Sequence, residues 1–182
     1  EVYRRRNMLP ATLLIIVLAV AGILTWTVVF ANSTSSSVTT CSTSPVAGAG
    51  TVQSGDALDE QPAAAPGDVH VRVLNGAGER GQAQLAAAEL VELGIAEAAP
   101  PDNDPLYPAQ DLSCVGQIRY GPAGAAAART LSLVVPCAEL VADGRAGTEV
   151  DLALGDDFRD IAPGQQVAEA LRALARQTAT DG

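Results

Sequence analysis

The chain has 182 residues, a formal net charge of −10 and a pI near 4.4. That length suits one modest domain with accessories, and acidity on this scale argues against a nucleic-acid partner. Aromatic residues make up 3% and every basic residue is arginine, so any core is built from Val, Leu, Ile and Ala.

Residues 1–8 form a basic flank holding Arg4, Arg5 and Arg6. Leu9 to Phe30 is uncharged and apolar, and no charged residue follows until Asp56. As a helix that run reaches roughly 33 Å, about one hydrocarbon core. It reads as a transmembrane helix over 9–30, with Pro10 in the tolerant first turn and Trp26 near the far interface. The arginines orient it with the N-terminus inside and the remaining chain outside. The rival is a cleaved signal peptide, since Val29 and Ala31 loosely fit a cleavage site. The apolar run exceeds the ~7–15 residues of a usual signal core, which favours a retained signal anchor. The arginine flank and Glu1 carry +2, so the remainder carries −12. Charge alone does not draw such an ectodomain to anionic lipid or acidic wall polymer.

Residues 31–67 are rich in Ser, Thr, Ala, Gly and Pro, without a sustained apolar period. They read as a flexible extracytoplasmic linker. The domain then runs over 68–182. Val69, Val71 and Val73 alternate with His70, Arg72 and Leu74, the pattern of a half-buried strand, and His70 and Arg72 give its second face a wet character. Gly76 to Gly81 is a loop, and Gln82 to Leu93 a helix turning Leu85, Ala86, Leu90 and Leu93 inward. Ala96 to Ala99 is a short strand stopped by Pro100 and Pro101, and residues 101–111 are an exposed loop. Gly116 to Tyr120 is a strand, and Pro122 to Val135 a helix. Ala138 to Val141 and Val150 to Leu154 are strands, and Gln165 to Arg176 is a last helix. The order β-α-β-β-α-β-β-α implies an α/β two-layer sandwich, one mixed sheet with helices on one face.

Asn75, Gly76, Gly78 and Gly81 form the one loop with ligand-binding character. Gly76, Gly78 and Gly81 spell G-x-G-x-x-G between a strand and a helix, the spacing of a dinucleotide turn. Against that reading stand the polar second face of the strand and Glu79 inside the loop. Asp102, in the window for a ribose contact, follows two prolines. No cofactor is expected. Asn75-Gly76 suits a positive φ at the strand exit, and Gly81 relieves crowding where the helix meets the sheet. Backbone N–H groups at the helix start leave room for a small anion or carboxylate.

The blocks "VRVLNGAGERGQAQLAAAEL", "IRYGPAGAAAARTL" and "VDLALGDDF" in this order resemble the LytR C-terminal domain family over about Val69 to Phe158. The resemblance implies a non-catalytic role at the cell envelope. In LytR-CpsA-Psr proteins this domain often follows a phosphotransferase domain. Only the linker precedes Val69 here, so no transferase activity carries over. The expected partners are the membrane, through the chain's own helix, and an envelope protein, with a wall polymer or lipid as further ligand classes.

Cys41, Cys114 and Cys137 are the only cysteines. With His70 the sole histidine, their spacing gives no zinc site. Cys114 precedes a strand and Cys137 follows the helix that returns from it, so the expected disulfide joins Cys114 to Cys137. Cys41 is left free or bonded to a partner chain, and its pairing with either of the others is the alternative. The acidic runs Asp102 to Pro105 and Gly155 to Asp160 read as solvated turns, too poor in ordered oxygen ligands for calcium. No nucleophile-base pair is evident, and no enzyme activity is expected.

Overall fold

In a computed structural model the described residues are Cys41, 50–161 and 163–178. The basic flank and the transmembrane helix expected over 9–30 lie outside them. Among the described residues no helix is long and apolar enough to cross a membrane.

Alternating valines make β2 (His70–Asn75), whose Val71 and Val73 point into the main core with Val69 just ahead of them. The chain then forms α1 (Gln82–Glu92), β3 (Ala96–Asn103), β4 (Gly116–Tyr120), α2 (Ala125–Val134), β5 (Glu139–Ala142), β6 (Val150–Leu154) and α3 (Gln165–Thr178). A two-residue strand β1 (Thr51–Val52) precedes them all. The six strands form one mixed sheet in the order β1-β5-β4-β6-β2-β3. β2 pairs in parallel with β3 across α1, and β4 in parallel with β5 across α2. β6 closes the centre, parallel to β2 and antiparallel to β4, and all five of its residues are buried. Ala86 and Leu90 of α1, Ala128 and Leu131 of α2, and Ala168 and Leu171 of α3 share one core with Ile118, Val150 and Leu152. All three helices therefore cover one face, the α/β arrangement read from the sequence.

Three local expectations change. β3 runs through Pro100 and Pro101 to Asn103, eight residues in all. It is an edge strand, where a proline without an N–H is tolerated. The register against β2 also slips at Val71/Arg72 and Arg72/Leu74, as bulges absorb the extra residues. Leu85 is 69% exposed rather than inward. The stretch read as linker is docked from Gly50 onward. Gln53 N–H donates to the Leu140 carbonyl at 2.8 Å and Ala64 N–H to Ala126 at 3.1 Å. The buried Thr130 hydroxyl donates to the Ala64 carbonyl at 2.8 Å, and Leu58 is buried in the main core.

The second sheet face is open to solvent at His70 and partly at Arg72, as expected, but the rest of it is not the wet surface those residues implied. Leu74, Ala153, Tyr107, Leu112 and Cys114 form a second apolar cluster there, with Cys41 packed against it. Tyr107 comes from the loop over 101–111 that was read as exposed, and Leu112 and Cys114 follow just beyond it. Beside them Arg119 and Asp104, both essentially without solvent contact, make a two-pronged ion pair at 2.9 and 2.6 Å. Gln117 Oε1 accepts from Arg119 Nε and Nη2 at 3.1 and 2.8 Å. Its amide nitrogen donates to the Tyr107 hydroxyl at 3.3 Å and to Glu139 at 2.8 Å. The guanidinium also lies 5.7 Å from the Tyr107 ring centroid, within cation–π range.

The disulfide joins Cys41 to Cys114, with 4.9 Å between their Cα atoms, and Cys137 is an exposed free thiol. The expected Cys114–Cys137 bridge is therefore corrected. The two residues were placed at the same edge of the sheet, but their surroundings differ. Cys114 is buried in the cluster on the second face, where Cys41 reaches it, whereas Cys137 is exposed just beyond α2.

Further along the second face, Arg72 donates to both oxygens of Asp151, each at 2.9 Å, and Arg145 joins Asp151 at 2.7 Å. Burial pushes the Asp151 carboxyl up, but the bonds from Arg145 and Arg72 outweigh it and hold the group below its ordinary range. A depressed carboxylate stabilises the fold above its unfolded pKa, and that contribution disappears as pH falls through the folded value. Asp151→Asn is accordingly expected to destabilise at neutral pH. The difference from the parent should shrink progressively below about pH 4 in urea titrations run at stepped pH.

Candidate functional site

β2 and β3 are parallel neighbours, so their carboxyl ends lie side by side, with Asn75 paired in register to Asn103. The glycine loop leaves β2 there and α1 begins just beyond it. These parts enclose a cleft of about 420 Å³ lined by Asn75, Gly78, Arg80, Gly81, Ala83, Gln84, Pro101, Asp102, Asn103 and Gln110. Of the loop residues singled out in the sequence, Asn75, Gly78 and Gly81 reach the cleft, while Gly76 lies beneath it. Asp102 also reaches it, from the end of a strand rather than from a loop.

Each glycine has a task different from its counterpart in a dinucleotide turn. A Cβ on Gly76 would meet Leu112 side-chain atoms at 2.9 and 3.0 Å and the Leu154 carbonyl oxygen at 3.0 Å. Close packing therefore requires Gly76, not the positive φ expected of it. Positive φ belongs to Gly78 at 77° and Gly81 at 81°. A Cβ on Gly78 would lie 3.2 Å from Gln110 Oε1, so this glycine faces a side chain of its own domain. Gly81 precedes α1 in the left-handed region, and nothing lies within 4 Å of where its Cβ would be. In the dinucleotide turn the last glycine admits close packing of helix on strand. Here no crowding exists to relieve, and the conformation alone selects glycine. Gly81→Ala is expected to cost about 1–2 kcal/mol, the left-handed penalty for a residue with a Cβ, measured as a shift of the urea midpoint at unchanged slope.

Asn75 governs the loop. Its Oδ1 accepts from Ala77 N–H at 3.2 Å and Gly78 N–H at 3.1 Å, and its amide donates to the Glu79 carbonyl at 2.8 Å. Successive backbone N–H groups of this kind form an anion-binding concavity in phosphate loops. In this loop the chain's own carboxamide fills it.

The rest of the lining is polar and only partly satisfied. Gln110 Nε2 donates to Asn103 Oδ1 at 3.1 Å, which leaves the Asn103 amide N–H groups and the Gln110 Oε1 without a protein partner among the described residues. Asp102 accepts from Asn103 N–H at 2.7 Å. Among the described residues Arg80 has no carboxylate within ion-pair distance. Gln84 and Pro101 also line a second, mostly apolar groove of about 350 Å³ with Ala87, Ala88, Val91 and Glu97. Composition and spacing had pointed to the glycine loop but not to this lining. Asn103, Gln110 and Pro101 come from a segment whose prolines had marked it as an exposed loop.

No group of three or more potential metal ligands occurs among the described residues. Residues 68–158 match the family model described as LytR cell envelope-related transcriptional attenuator. The chain is 38% identical over 187 residues to the cell envelope integrity protein Cei of Mycobacterium tuberculosis. That match covers 98% of this chain and 85% of the relative. A crystal structure of the soluble domain of a conserved hypothetical secreted protein from Mycobacterium marinum aligns with a TM-score of 0.64 at 36% identity. It covers 74% of this chain and 98% of that one.

Proposed function

The chain belongs to the family described as LytR cell envelope-related transcriptional attenuator, and from that premise we propose that it is a membrane-anchored, extracytoplasmic binding and scaffolding protein that supports cell-envelope integrity without catalysis. The observation that carries this reading is 38% identity to a cell envelope integrity protein over 98% of this chain, and the anchor rests on the apolar run Leu9 to Phe30 in the sequence. The Cys41–Cys114 disulfide supports placement outside the cytoplasm, since such bonds persist in oxidising compartments. The cleft lining supports a binding rather than a reacting site. Its amides orient a ligand by hydrogen bonds, and its one carboxylate has no nucleophile to activate.

Deleting the protein is expected to raise envelope permeability to a dye that intact cells exclude. Full-length chain should restore the barrier, and a chain lacking residues 1–30 but exported by a cleavable signal should not. In intact cells, added protease should remove the domain while an N-terminal tag stays protected. A mature chain beginning near Asn32 and released from membranes would overturn the anchor. Unchanged permeability on deletion would overturn the envelope role.

A second reading is an accessory of wall-polymer or envelope-lipid assembly that docks an anionic group at the Asn75–Gly81 loop. It draws on the start of α1, which has no side-chain cap, and on Arg80, which has no ion-pair partner among the described residues. A saturable thermal shift with inorganic phosphate, lost in Arg80→Ala, would favour it.

A further inference from the structure

We propose that the polar cleft and the apolar groove beside it are one continuous site for an amphiphile with an uncharged, hydroxyl-rich head group, a glycolipid in chemical class. This deepens the binding role proposed above and rests on it only for where such a ligand is met.

Continuity comes first. The cleft at the ends of β2 and β3 and the groove between α1 and β3 share Gln84 and Pro101 as lining residues. One long trough results, polar at the glycine loop and apolar toward Val91. Its volumes, about 420 and 350 Å³, each fall in the range of small-molecule sites. The apolar end lies on the face of α1 that leaves Val91 55% exposed. An exposed large aliphatic beside a groove marks a contact surface better than a scattered one does.

The head-group chemistry follows from the lining. The loop N–H groups that would hold a phosphate already donate to Asn75 Oδ1. At the polar end Arg80 and Asp102 bring one charge of each sign, so that end carries no net charge, and Glu97 adds a single carboxylate beside the apolar end. Asp102 opposes an anion as Arg80 opposes a cation. What remains is a set of neutral donors and acceptors: the Asn103 amide N–H groups, Gln110 Oε1 and the whole Gln84 amide, which has no hydrogen-bond partner among the described residues. Hydroxyl groups, each donor and acceptor at once, match such a set. The apolar tail then runs over Ala88 and Val91, where burial of each methylene is favourable.

The test uses the full chain in phosphatidylcholine nanodiscs and an octyl glucoside carrying a photoreactive group in its alkyl chain. Photolabelling is expected within residues 84–91 and 97–101. Excess octyl glucoside should compete it away, and free glucose or octyl phosphate should not. Asn103→Ala combined with Gln110→Ala should cut labelling about fivefold or more, the effect of losing neutral hydrogen bonds. Val91→Glu should cut it about tenfold or more by setting a charge in the tail's path. Both variants alter surface positions, and unchanged circular dichroism would confirm that they fold. Labelling spread over the whole surface, or unchanged in both variants, would overturn the proposal. Equal competition by octyl phosphate would overturn the neutral head, and equal competition by glucose would overturn the tail groove. Retained labelling in a chain whose deletion leaves permeability unchanged would separate this site from the envelope role.

Discussion

Asp104→Ala is expected to destabilise the domain by about 3–5 kcal/mol, the cost of leaving a buried charge without its partner. Arg119 and Asp104 are 1% and 0% exposed, so the guanidinium has almost no solvent contact to offset the loss of the carboxylate. Gln117 Oε1 still accepts from it and the Tyr107 ring still lies beside it, but neither carries a countercharge. Asp104 also accepts from the Leu106 N–H at 3.0 Å, so its loss loosens the loop over the second face as well. Replacing both members, Arg119→Met with Asp104→Leu, removes the stranded charge and should recover much of the loss, because apolar replacement of a whole buried pair is often close to neutral. Urea denaturation of both variants measures the difference. A single variant within 1 kcal/mol of the parent, on the scale of an exposed pair, would mean that the pair is not buried in solution.

That cluster also marks the limit of what the sequence discloses. The helix face was legible because its residues repeat at strand and helix periods. Val69, Val71 and Val73, then Ala86 and Leu90, then Leu131 and Val134 all fall on the buried side. β6 was legible to the residue. The second face was not, because its core is polar. Gln117 and Arg119 alternate with Ile118 and Tyr120, a pattern that normally means one wet face. Their burial depends on the loop just upstream, whose Asp104 supplies the charge and whose Tyr107 and Leu112 supply the cover. Leu106 and Tyr107, inside the stretch over 101–111 that Pro and Asp had marked as solvent, and Leu112 and Cys114 just beyond it, were the available signal. The glycine loop was legible as a site of special backbone, but the tasks of Gly76 and Gly81 were exchanged. Positive φ and close approach leave the same residue in the sequence, and only the neighbours Leu112 and Leu154 tell them apart.

Cys41→Ser is expected to cost about 4 kcal/mol, while Cys137→Ser should leave stability unchanged. The bridge closes 73 residues of chain. In the chain-entropy account a loop of that length falls between the ~3 kcal/mol of a 15-residue loop and the ~4.7 kcal/mol of a 100-residue one. The bridge also holds Cys41 in place on the second face. There its backbone N–H donates to the buried Glu139 at 3.2 Å and its side chain packs on the second apolar cluster. Without it Glu139 keeps the Gln117 amide as a donor, so the carboxylate loses a partner at the moment the cover loosens. Cys137 is exposed and unbonded, and a hydroxyl there meets only water. Mapping of unreduced peptides should therefore recover Cys41 linked to Cys114, with Cys137 alone alkylated in the native protein. A Cys114–Cys137 peptide would restore the pairing first read from the sequence and require the loop over 104–115 to be repositioned. If the peptide links Cys41 and Cys114 yet Cys41→Ser leaves the urea midpoint in place, the segment is held by β1 and the Thr130–Ala64 bond rather than by the disulfide.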